Sequence, residues 1–225
     1  MYLRRLDVDS PTRNLDTSLV ELLIDGPPDA EITVALAHGA GLGLDAPFMN
    51  TVATGLSARG IRVARFEFDY MAKRRHDGKR RPPDRMDRLM ACWREVIAEI
   101  GSDRLVLAGK SMGGRIASMI ADDVGALGLV CLGYPFHPAG KPDRLRIDHL
   151  GALRTPTLIL QGERDALGAK TEVERYPLSD SIRMIWLTDG DHGFRPRKRS
   201  QRTEADNLET AVHEMADFAN GLGTC

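Results

Sequence analysis

The sequence predicts an α/β fold: a three-layer, doubly wound and mostly parallel sheet with helices on both faces. Apolar runs of strand length alternate along the chain with amphipathic stretches of helix length. A repeat of strand, helix and strand produces right-handed crossovers and a sheet between two helical layers. From residue 32 onward, the apolar runs are nearly continuous instead of alternating with polar residues. Such runs are typical of parallel strands that are covered on both faces.

The strand candidates are short apolar runs separated by turn and helix patterns. In chain order they are Leu19–Ile24, Ile32–Ala37, Ile61–Phe66, Leu105–Ala108, Leu127–Leu132, Thr157–Leu160 and Ile182–Leu187. The first of them leads into the turn sequence D-G-P-P, and proline removes a backbone donor that a central strand would need. We therefore expect this first strand to be antiparallel and to lie at an edge of the sheet.

Helical patterns lie between the strand candidates. They are Phe48–Arg59, Met86–Ile100, Met112–Asp122, a short one at Thr171–Tyr176, and Glu204–Asn220. In the second pattern, Leu89, Trp93 and Val96 fall at spacings of four and three residues. The last pattern has the same periodicity. Each of these two helices therefore carries one apolar stripe, with which it can pack on the sheet.

Length and charge indicate one domain without a nucleic-acid or membrane partner. The chain has 225 residues and a formal net charge of −1, and it shows no linker, internal repeat or low-complexity tract. We therefore expect a single domain over residues 1–225. The balanced charge argues against a general nucleic-acid or membrane binder. No run approaches the roughly 18 apolar residues of a membrane span, and the charged N-terminus differs from a signal peptide.

The cysteines indicate a reducing compartment and no metal site. The chain has 3 cysteines, Cys92, Cys131 and Cys225, which is an odd number and lacks the spacing of metal ligands. The first two lie in a helix pattern and a strand pattern and are interpreted as small core residues. This use of cysteine suits a cytoplasmic protein. We therefore expect a cytoplasmic location and neither a metal nor another cofactor.

The pentapeptide G-K-S-M-G at residues 109–113 carries the strongest chemical signal. It follows a strand candidate and precedes a helical pattern, which is the context of the G-x-S-x-G nucleophile elbow. In such an elbow the serine projects from a sharp turn, and glycines on both sides leave room for neighbouring backbone. The following helix aims its N-terminal N–H groups at negative charge beside the serine. The pattern predicts Ser111 as a nucleophile.

A serine nucleophile needs a base to remove its proton and an acid to orient that base. In this architecture the acid and then the base follow the serine, each after its own strand. Asp165 lies in Q-G-E-R-D after one strand candidate, and His192 lies in D-H-G-F after the next. Glu163 is the alternative acid, but the shorter side chain of Asp165 on the longer loop favours Asp165. The other histidines fit the base less well: His38, His76, His137, His149 and His213.

A glycine-rich loop, H-G-A-G-L-G at residues 38–43, follows the strand candidate Ile32–Ala37. Such a loop lets a backbone N–H approach the oxyanion that forms when a carbonyl is attacked. The expected donors are the N–H of Met112, directly after the nucleophile, and the N–H of Ala40. Gly41 is the alternative for the second donor. The loop lacks the spacing of a dinucleotide or phosphate-binding loop.

Further residues are expected to shape the pocket. Gly41, Tyr134 and His137 lie in loops that should open toward the serine. Two basic segments, Lys73–Arg88 and Arg195–Arg202, are interpreted either as solvated loops or as a basic rim around the site. The second interpretation, together with Lys110 inside the elbow, favours an anionic small-molecule substrate.

Several segments together carry a resemblance to a known family. They are L-A-H-G-A-G at Leu36–Gly41, R-F-E-F at Arg65–Phe68, G-K-S-M-G-G-R at Gly109–Arg115, L-G-Y-P-F-H-P at Leu132–Pro138, Q-G-E-R-D at Gln161–Asp165, and D-H-G-F with the basic run after it. Over nearly its whole length the chain resembles the α/β-hydrolase superfamily. More narrowly, it is similar to a small branch near the dienelactone-hydrolase-like proteins. That branch includes uncharacterised bacterial predicted hydrolases and a subunit of a eukaryotic histone-acetyltransferase complex.

The resemblance implies a serine hydrolase with Ser111 as nucleophile, Asp165 as acid and His192 as base. Superfamily members with a helical cap insert it between the strands that here end at residue 132 and begin at residue 157, and this stretch is short. We therefore expect no large cap and an open site for an ester, thioester or related acyl bond of a small molecule. The alternative is a binding or scaffold protein on the hydrolase fold, as the chromatin relative is thought to be. A third reading is acyl transfer or perhydrolysis on the same fold.

Overall fold

One mixed sheet organises the protein. The computed structural model describes residues 2–3, 21–101 and 103–223. The strands within these residues are β1 (Tyr2–Leu3), β2 (Leu23–Asp25), β3 (Thr33–Ala37), β4 (Arg62–Phe66), β5 (Leu105–Lys110), β6 (Gly128–Leu132), β7 (Thr157–Gly162) and β8 (Ile182–Leu187). They form a sheet in the order β1-β2-β4-β3-β5-β6-β7-β8.

The strands from β3 to β8 run parallel, as their near-continuous apolar sequences predicted. Strand β2 pairs antiparallel with β4, so the prediction of an antiparallel strand at this edge is confirmed. The two-residue strand β1 lies beyond it. Residues 19 and 20 of the predicted first strand lie outside the described residues. Because parallel strands end on the same side, the loops after β3, β5, β7 and β8 meet at one edge of the sheet.

Helices cover both faces of this sheet, which confirms the three-layer α/β prediction. The helices are α1 (Pro47–Ser57), α2 (Asp69–Asp77), α3 (Met86–Ile100), α4 (Met112–Ser118), α5 (Lys170–Val173) and α6 (Glu204–Gly221). Helices α1 and α6 pack together on one face, and α3 and α4 pack together on the other. Between β6 and β7 the chain forms a single 3-10 turn, Leu150–Ala152, and no cap domain, as predicted.

The core consists of two clusters, one on each side of the sheet. Along β5, Leu107 belongs to the cluster that contains Trp93 of α3, whereas its neighbour Val106 belongs to the cluster that contains Val52 of α1. Successive side chains of a strand point to opposite faces, so a strand buried on both sides must be apolar at every position. Each fully buried side chain of this size stabilises the fold by about 1.5–3 kcal/mol.

The sequence missed helix α2 and placed the end of α4 too late. Most residues of helix α2 are polar, and within it only Tyr70 and Met71 are buried, so it shows no apolar periodicity. Helix α4 ends at Ser118 instead of reaching Asp122, because residues 119–125 form turns. Strand β5 extends beyond the apolar run to Lys110, which pairs with Leu132 of β6. Among the described residues, no helix combines the length and the apolar character of a membrane span.

Two glycines allow β3, β5 and α4 to approach one another closely. A Cβ on Gly109 would lie 2.3 Å from the backbone nitrogen of Gly114. A Cβ on Gly113 would lie 2.6 Å from the carbonyl oxygen of His38 and 2.8 Å from the Cβ of Ala37. These distances are shorter than van der Waals contact and involve backbone or a short side chain. The turn between β5 and α4 therefore requires glycine at both positions.

Replacing Gly113 by alanine is expected to lower the free energy of unfolding by about 1–3 kcal/mol, because the new methyl group overpacks the contact between α4 and β3. Urea denaturation followed by circular dichroism measures this change. The control is Gly221→Ala at the end of α6, where a Cβ would meet nothing within 4 Å. A loss of stability that is equal in both variants would contradict the steric explanation.

Candidate active site

Ser111 occupies a strained turn between β5 and α4. Its backbone has φ 52° and ψ −113°, a conformation that costs a residue with a side chain about 1–3 kcal/mol. The turn is held from both sides: the Ser111 N–H donates to the carbonyl of Leu132 at 3.0 Å, and the Ser111 carbonyl accepts from the N–H of Arg115 at 3.0 Å. The side chain of Ser111 is only partly buried. This is the geometry of a nucleophile elbow, and it directs the hydroxyl out of the sheet edge.

The structure brings Ser111, His192 and Asp165 together. His192 Nε2 lies 2.9 Å from Ser111 Oγ, and His192 Nδ1 lies 2.7 Å from Asp165 Oδ2. An ionised carboxylate only accepts hydrogen bonds. Nδ1 therefore carries the hydrogen and donates it to Asp165, which leaves Nε2 free to accept the Ser111 hydroxyl. The side chain of His192 is 33% exposed, whereas that of Asp165 is 0% exposed.

Gln161 orients the buried side chain of Asp165. In the sequence, Gln161 stood out only as part of the motif Q-G-E-R-D. Its Nε2 donates to Asp165 Oδ2 at 3.0 Å and to the carbonyl of Tyr134 at 3.1 Å. Its Oε1 accepts the N–H of Tyr134 at 2.7 Å. The other carboxylate oxygen of Asp165 accepts the N–H of Leu167 at 2.8 Å. These bonds hold Asp165 in one position and join the end of β7 to the loop after β6. A polar residue at the end of an apolar strand is the signal that could have found Gln161.

The alternative acid, Glu163, lies against other partners. Its Oε2 accepts the N–H of Asp189 at 2.9 Å, and its Oε1 lies 3.4 Å from Lys170 Nζ. Glu163 therefore braces the turn that precedes His192 and does not contact the imidazole. Gly162 permits this arrangement, because a Cβ there would lie 2.3 Å from the carbonyl oxygen of Asp191. Glycine at this position lets the loop after β7 and the loop after β8 approach each other.

A second serine–histidine contact lies nearby but is arranged differently. Ser118 Oγ lies 2.8 Å from His149 Nε2 and donates its own hydrogen to the carbonyl of Arg115 at 2.8 Å. Because the hydroxyl has only one hydrogen, His149 Nε2 must act as the donor in this pair. Burial lowers the pKa of His149. Among the described residues, no carboxylate forms a hydrogen bond or ion pair with His149, so this pair lacks the acid that His192 has.

The glycine-rich loop after β3 lies beside the nucleophile. A Cβ on Gly39 would lie 3.6 Å from the Cβ of Ser111. In the part of the chain that the structure describes, neither the Ala40 N–H nor the Met112 N–H donates to a protein acceptor. Both N–H groups that were predicted as oxyanion donors are therefore available to a group that does not belong to the protein. The N-terminus of α4, at Met112, adds a favourable potential for negative charge.

His38 and Tyr70 hold this loop in place. His38 is fully buried, and its Nε2 accepts the N–H of Phe68 at 3.2 Å. Its Nδ1 therefore carries the hydrogen and donates to the carbonyl of Gly39 at 2.6 Å. Burial lowers the pKa of His38, which favours the neutral ring. The Tyr70 hydroxyl donates to the carbonyl of Ala40 at 3.1 Å. The sequence analysis ranked His38 below His192 as a base and did not predict this positioning contact.

Lys110 points inward, against the loop that carries His192. Its Nζ donates to the carbonyl of His192 at 2.7 Å and lies 5.5 Å and 5.8 Å from the ring centroids of Phe48 and Phe194. Burial lowers the pKa of Lys110 to about 8, and attraction by Asp165 and Asp191 opposes this only in part. The sequence suggested a charge at the mouth of the site. The structure instead makes Lys110 a tie between β5 and the His192 loop.

The three predicted pocket residues differ in their exposure. Gly41 is exposed, and a Cβ there would meet nothing within 4 Å. Tyr134 is 0% exposed and donates its hydroxyl to the carbonyl of Arg146, and His137 is 4% exposed and lies 3.0 Å from Glu172 Oε2. These two side chains lie below the surface, so contact of either with a substrate stays a prediction.

Many arginines of the two basic segments are paired with carboxylates of the protein itself. In the first segment, Arg75 pairs with Asp45 and Glu67, Arg81 with Asp77, and Arg88 with Asp69 and Glu95. In the second, Arg195 pairs with Glu204 and Arg197 with Asp189. Surface pairs of this kind contribute little to stability, but they neutralise the local charge. This pairing favours the interpretation as solvated surface over that of a basic rim.

Replacing Lys110 by methionine is expected to change how stability depends on pH. The pKa of Lys110 is lowered from 10.5 to about 8 in the folded chain, so at higher pH the folded state releases this proton before the unfolded state does. The unfolded state then binds more protons, and the contribution of Lys110 to the free energy of unfolding rises with pH. Wild type should therefore gain stability relative to Lys110→Met between about pH 8 and pH 10.

Denaturant unfolding of both proteins across this pH range measures the difference. Lys79→Met, which removes an exposed lysine of the same charge, is the matched control. A difference between wild type and Lys110→Met that stays constant or shrinks with pH would show that the Lys110 ammonium is not desolvated.

Comparisons with known proteins agree with the fold and extend it to a family. The family of alpha/beta hydrolase domains matches residues 30–220. An a/b serine hydrolase without lid from Xanthomonas campestris is 21% identical, with 87% of each chain covered and a TM-score of 0.63. An alpha-beta serine hydrolase homologue from Coxiella burnetii is 20% identical, covers 88% of this chain and 90% of that chain, and has a TM-score of 0.64.

A third similar structure is Est1E from Butyrivibrio proteoclasticus. It is 13% identical and covers 93% of this chain and 98% of that chain, with a TM-score of 0.67. At these identities the likeness shows a shared fold, whereas the family match extends over most of the sequence. The resemblance that the motifs predicted is therefore confirmed, and this protein belongs to the alpha/beta hydrolase family.

Proposed function

We propose that this protein is a serine hydrolase that cleaves an ester, thioester or related acyl bond of a small molecule through an acyl-enzyme. One observation carries the proposal: an unbroken line of hydrogen bonds runs from Asp165 through His192 to Ser111 on its strained turn. A serine hydroxyl at such a turn becomes a nucleophile when a correctly oriented imidazole can take its proton. Membership of the alpha/beta hydrolase family supports the same reaction class.

In the first half of the reaction, Ser111 Oγ attacks the carbonyl carbon while His192 Nε2 takes the hydroxyl proton. Buried Asp165 keeps the hydrogen on Nδ1 and stabilises the imidazolium that forms. The carbonyl oxygen becomes an oxyanion, and the N–H groups of Met112 and Ala40 are its proposed donors. A preorganised donor of this kind lowers the barrier by about 2.7–4 kcal/mol.

The first half ends when this tetrahedral intermediate collapses: the bond to the leaving group breaks, His192 gives its proton to that group, and the acyl group stays on Ser111 Oγ. The second half is hydrolysis of this ester. A water molecule then attacks this acyl-enzyme while His192 Nε2 takes a proton from the water. When the second tetrahedral intermediate collapses, the proton passes back to Ser111 and the free acid leaves. Both halves use the same hydrogen bonds, because the attacking and leaving groups occupy one side of the imidazole.

Two further properties belong to this proposal. Esters are the first substrates to test, because similar structures include Est1E and an esterase domain from Rhodothermus marinus. We also propose a cytoplasmic location, because the buried thiols of Cys92 and Cys131 are free and free thiols suit a reducing compartment. A binding or scaffold protein would use the two basic segments to hold an acidic partner, and the pairing of many of their arginines with the protein's own carboxylates weakens this alternative.

Ser111→Ala is expected to abolish hydrolysis, whereas Ser118→Ala should retain it. Both serines contact a histidine, but only His192 has a carboxylate behind it. Removing the nucleophile of a triad lowers kcat by about a million-fold in a serine protease, so we expect a loss of at least about 1,000-fold in Ser111→Ala. The measurement is turnover of p-nitrophenyl butyrate.

Labelling with a fluorophosphonate, followed by mass spectrometry of the modified peptide, tests the nucleophile without a substrate. Modification of Ser111 is expected in wild type and in Ser118→Ala. Unchanged turnover by Ser111→Ala would refute the nucleophile. Absence of both turnover and labelling in wild type would favour the binding protein instead.

Asp165→Asn is expected to lower kcat by about 10,000-fold while KM changes little, because an amide no longer holds the correct imidazole tautomer. Glu163→Gln is the matched control: it removes the charge of the neighbouring carboxylate, which braces Asp189 and does not contact His192. Steady-state kinetics of both variants gives the comparison. A larger loss of kcat in Glu163→Gln would reverse the assignment of the acid.

A further inference from the structure

Two arginines near the candidate active site have no acidic partner in the described part of the chain. Within the described residues, no Asp or Glu forms an ion pair or hydrogen bond with the side chain of Arg115 or Arg146. Both side chains are partly buried, and Arg115 Nε is fully buried without a hydrogen-bond partner. Buried charged groups are normally paired, because desolvating a lone charge is costly. These two arginines lie together near the turn that carries Ser111, and no described carboxylate neutralises them, so an anionic group of a substrate can pair with them.

Arg115 lies one helical turn after the nucleophile. Its N–H donates to the Ser111 carbonyl at 3.0 Å, which places it in the first turn of α4. Long side chains on a helix lean toward the N-terminus and cover the preceding turn. This tendency favours a guanidinium that lies over the turn with Ser111 and Met112, and the charge of Arg115 acts on Tyr134, Arg146 and His149. Ser118, three residues later on the same face, contacts His149 at 2.8 Å.

Arg146 lies in the loop that faces this side of α4. Its carbonyl accepts the Tyr134 hydroxyl at 2.8 Å, and its N–H donates to the carbonyl of Phe136 at 2.8 Å. Tyr134 follows the end of β6, whose last residue accepts the N–H of Ser111. The 146–149 loop is thus tied to the catalytic edge at one end and to α4 at the other.

The electrostatics agree with this placement. Burial lowers the pKa of Arg146, and the charge of Arg115 lowers it further. The pKa of His149 is lowered by burial and again by Arg115. The charge of Asp148 raises the pKa of His149 and offsets this lowering only in part. Arg115 and Arg146, to which no described carboxylate bonds, therefore create a local field that attracts anions.

We infer that Arg115 and Arg146 form a binding site for an anionic oxygen group, a carboxylate or a phosphate, that the substrate carries beside its scissile acyl bond. Guanidinium groups suit this ligand, because their planar N–H donors match the oxygens of carboxylates and phosphates. This inference rests on the proposed hydrolase function and names its substrate class. It also moves the expected anion contact to the face of α4, away from the basic segments, in which many arginines pair with carboxylates of the protein.

Matched esters test the inference. Mono-4-nitrophenyl glutarate carries a free carboxylate on its acyl chain, and 4-nitrophenyl valerate has a neutral chain of the same length. Arg115→Gln and Arg146→Gln should each raise KM about 10- to 100-fold for the glutarate ester, because each loses a hydrogen bond to a charged group. The KM for the valerate ester should stay within about twofold, since that ester makes no such bond. Competition by glutarate and by inorganic phosphate in valerate hydrolysis shows which anion the site prefers.

Arg62→Gln is the control variant. Arg62 is also partly buried, and its Nε is also without a partner, but it begins β4 and therefore lies at the opposite edge of the sheet. Arg62→Gln should leave the KM of both esters unchanged. Thermal unfolding shows whether each variant is folded. If Arg115→Gln does not fold, the test rests on Arg146→Gln, because Arg146 lies in a loop outside α4.

Binding without turnover separates this inference from the hydrolase proposal. Calorimetric titration should detect binding of the glutarate ester to Ser111→Ala. The double variant, which carries Ser111→Ala and Arg115→Gln, should bind this ester more weakly. Such binding would support the anion site even if wild type hydrolysed neither ester. The anion site would be refuted if hydrolysis occurred but the arginine variants affected both esters equally or not at all. It would also be refuted if the titration showed no dependence on Arg115.

Discussion

The tight turn at Ser111 is the constraint on which the rest of the site depends. Its backbone is strained for a residue with a side chain, and a Cβ at Gly109 or Gly113 would overlap neighbouring backbone. The strain persists because β5 and α4 hold the turn from both sides. Since the turn directs the Ser111 hydroxyl out of one sheet edge, only loops that leave strands at that edge can reach it. His192 and Asp165 lie on such loops, after β8 and β7.

Polar side chains hold these loops where strand pairing ends. A loop has no ladder of hydrogen bonds, so its backbone groups need other partners. Gln161 bonds to the backbone of Tyr134, Lys110 to the carbonyl of His192, and His38 to the carbonyl of Gly39. These side chains largely avoid solvent, so their bonds favour one arrangement of the loops. A site held in this way needs little reorganisation when charge develops in the transition state.

The strands and most helices could be predicted because their burial is written in local periodicity. Helix Met86–Ile100 and strand Ile182–Leu187 have the predicted bounds. Helix α2 could not be predicted in this way, because ion pairs such as that of Arg75 with Glu67 hold its polar surface. The basic segments were ambiguous for the same reason. Whether a charge is neutralised depends on residues that approach only in the folded chain.

By itself, the sequence determined the fold class, the family and the order of the candidate site residues along the chain. These follow from periodicity and from motifs that fit within a few residues. Only the tertiary structure decided that Asp165 rather than Glu163 lies against His192, that Lys110 points inward, and that no carboxylate of the described residues pairs with Arg115. Such contacts depend on distance and burial between segments remote in sequence, and no local pattern of residues encodes either quantity.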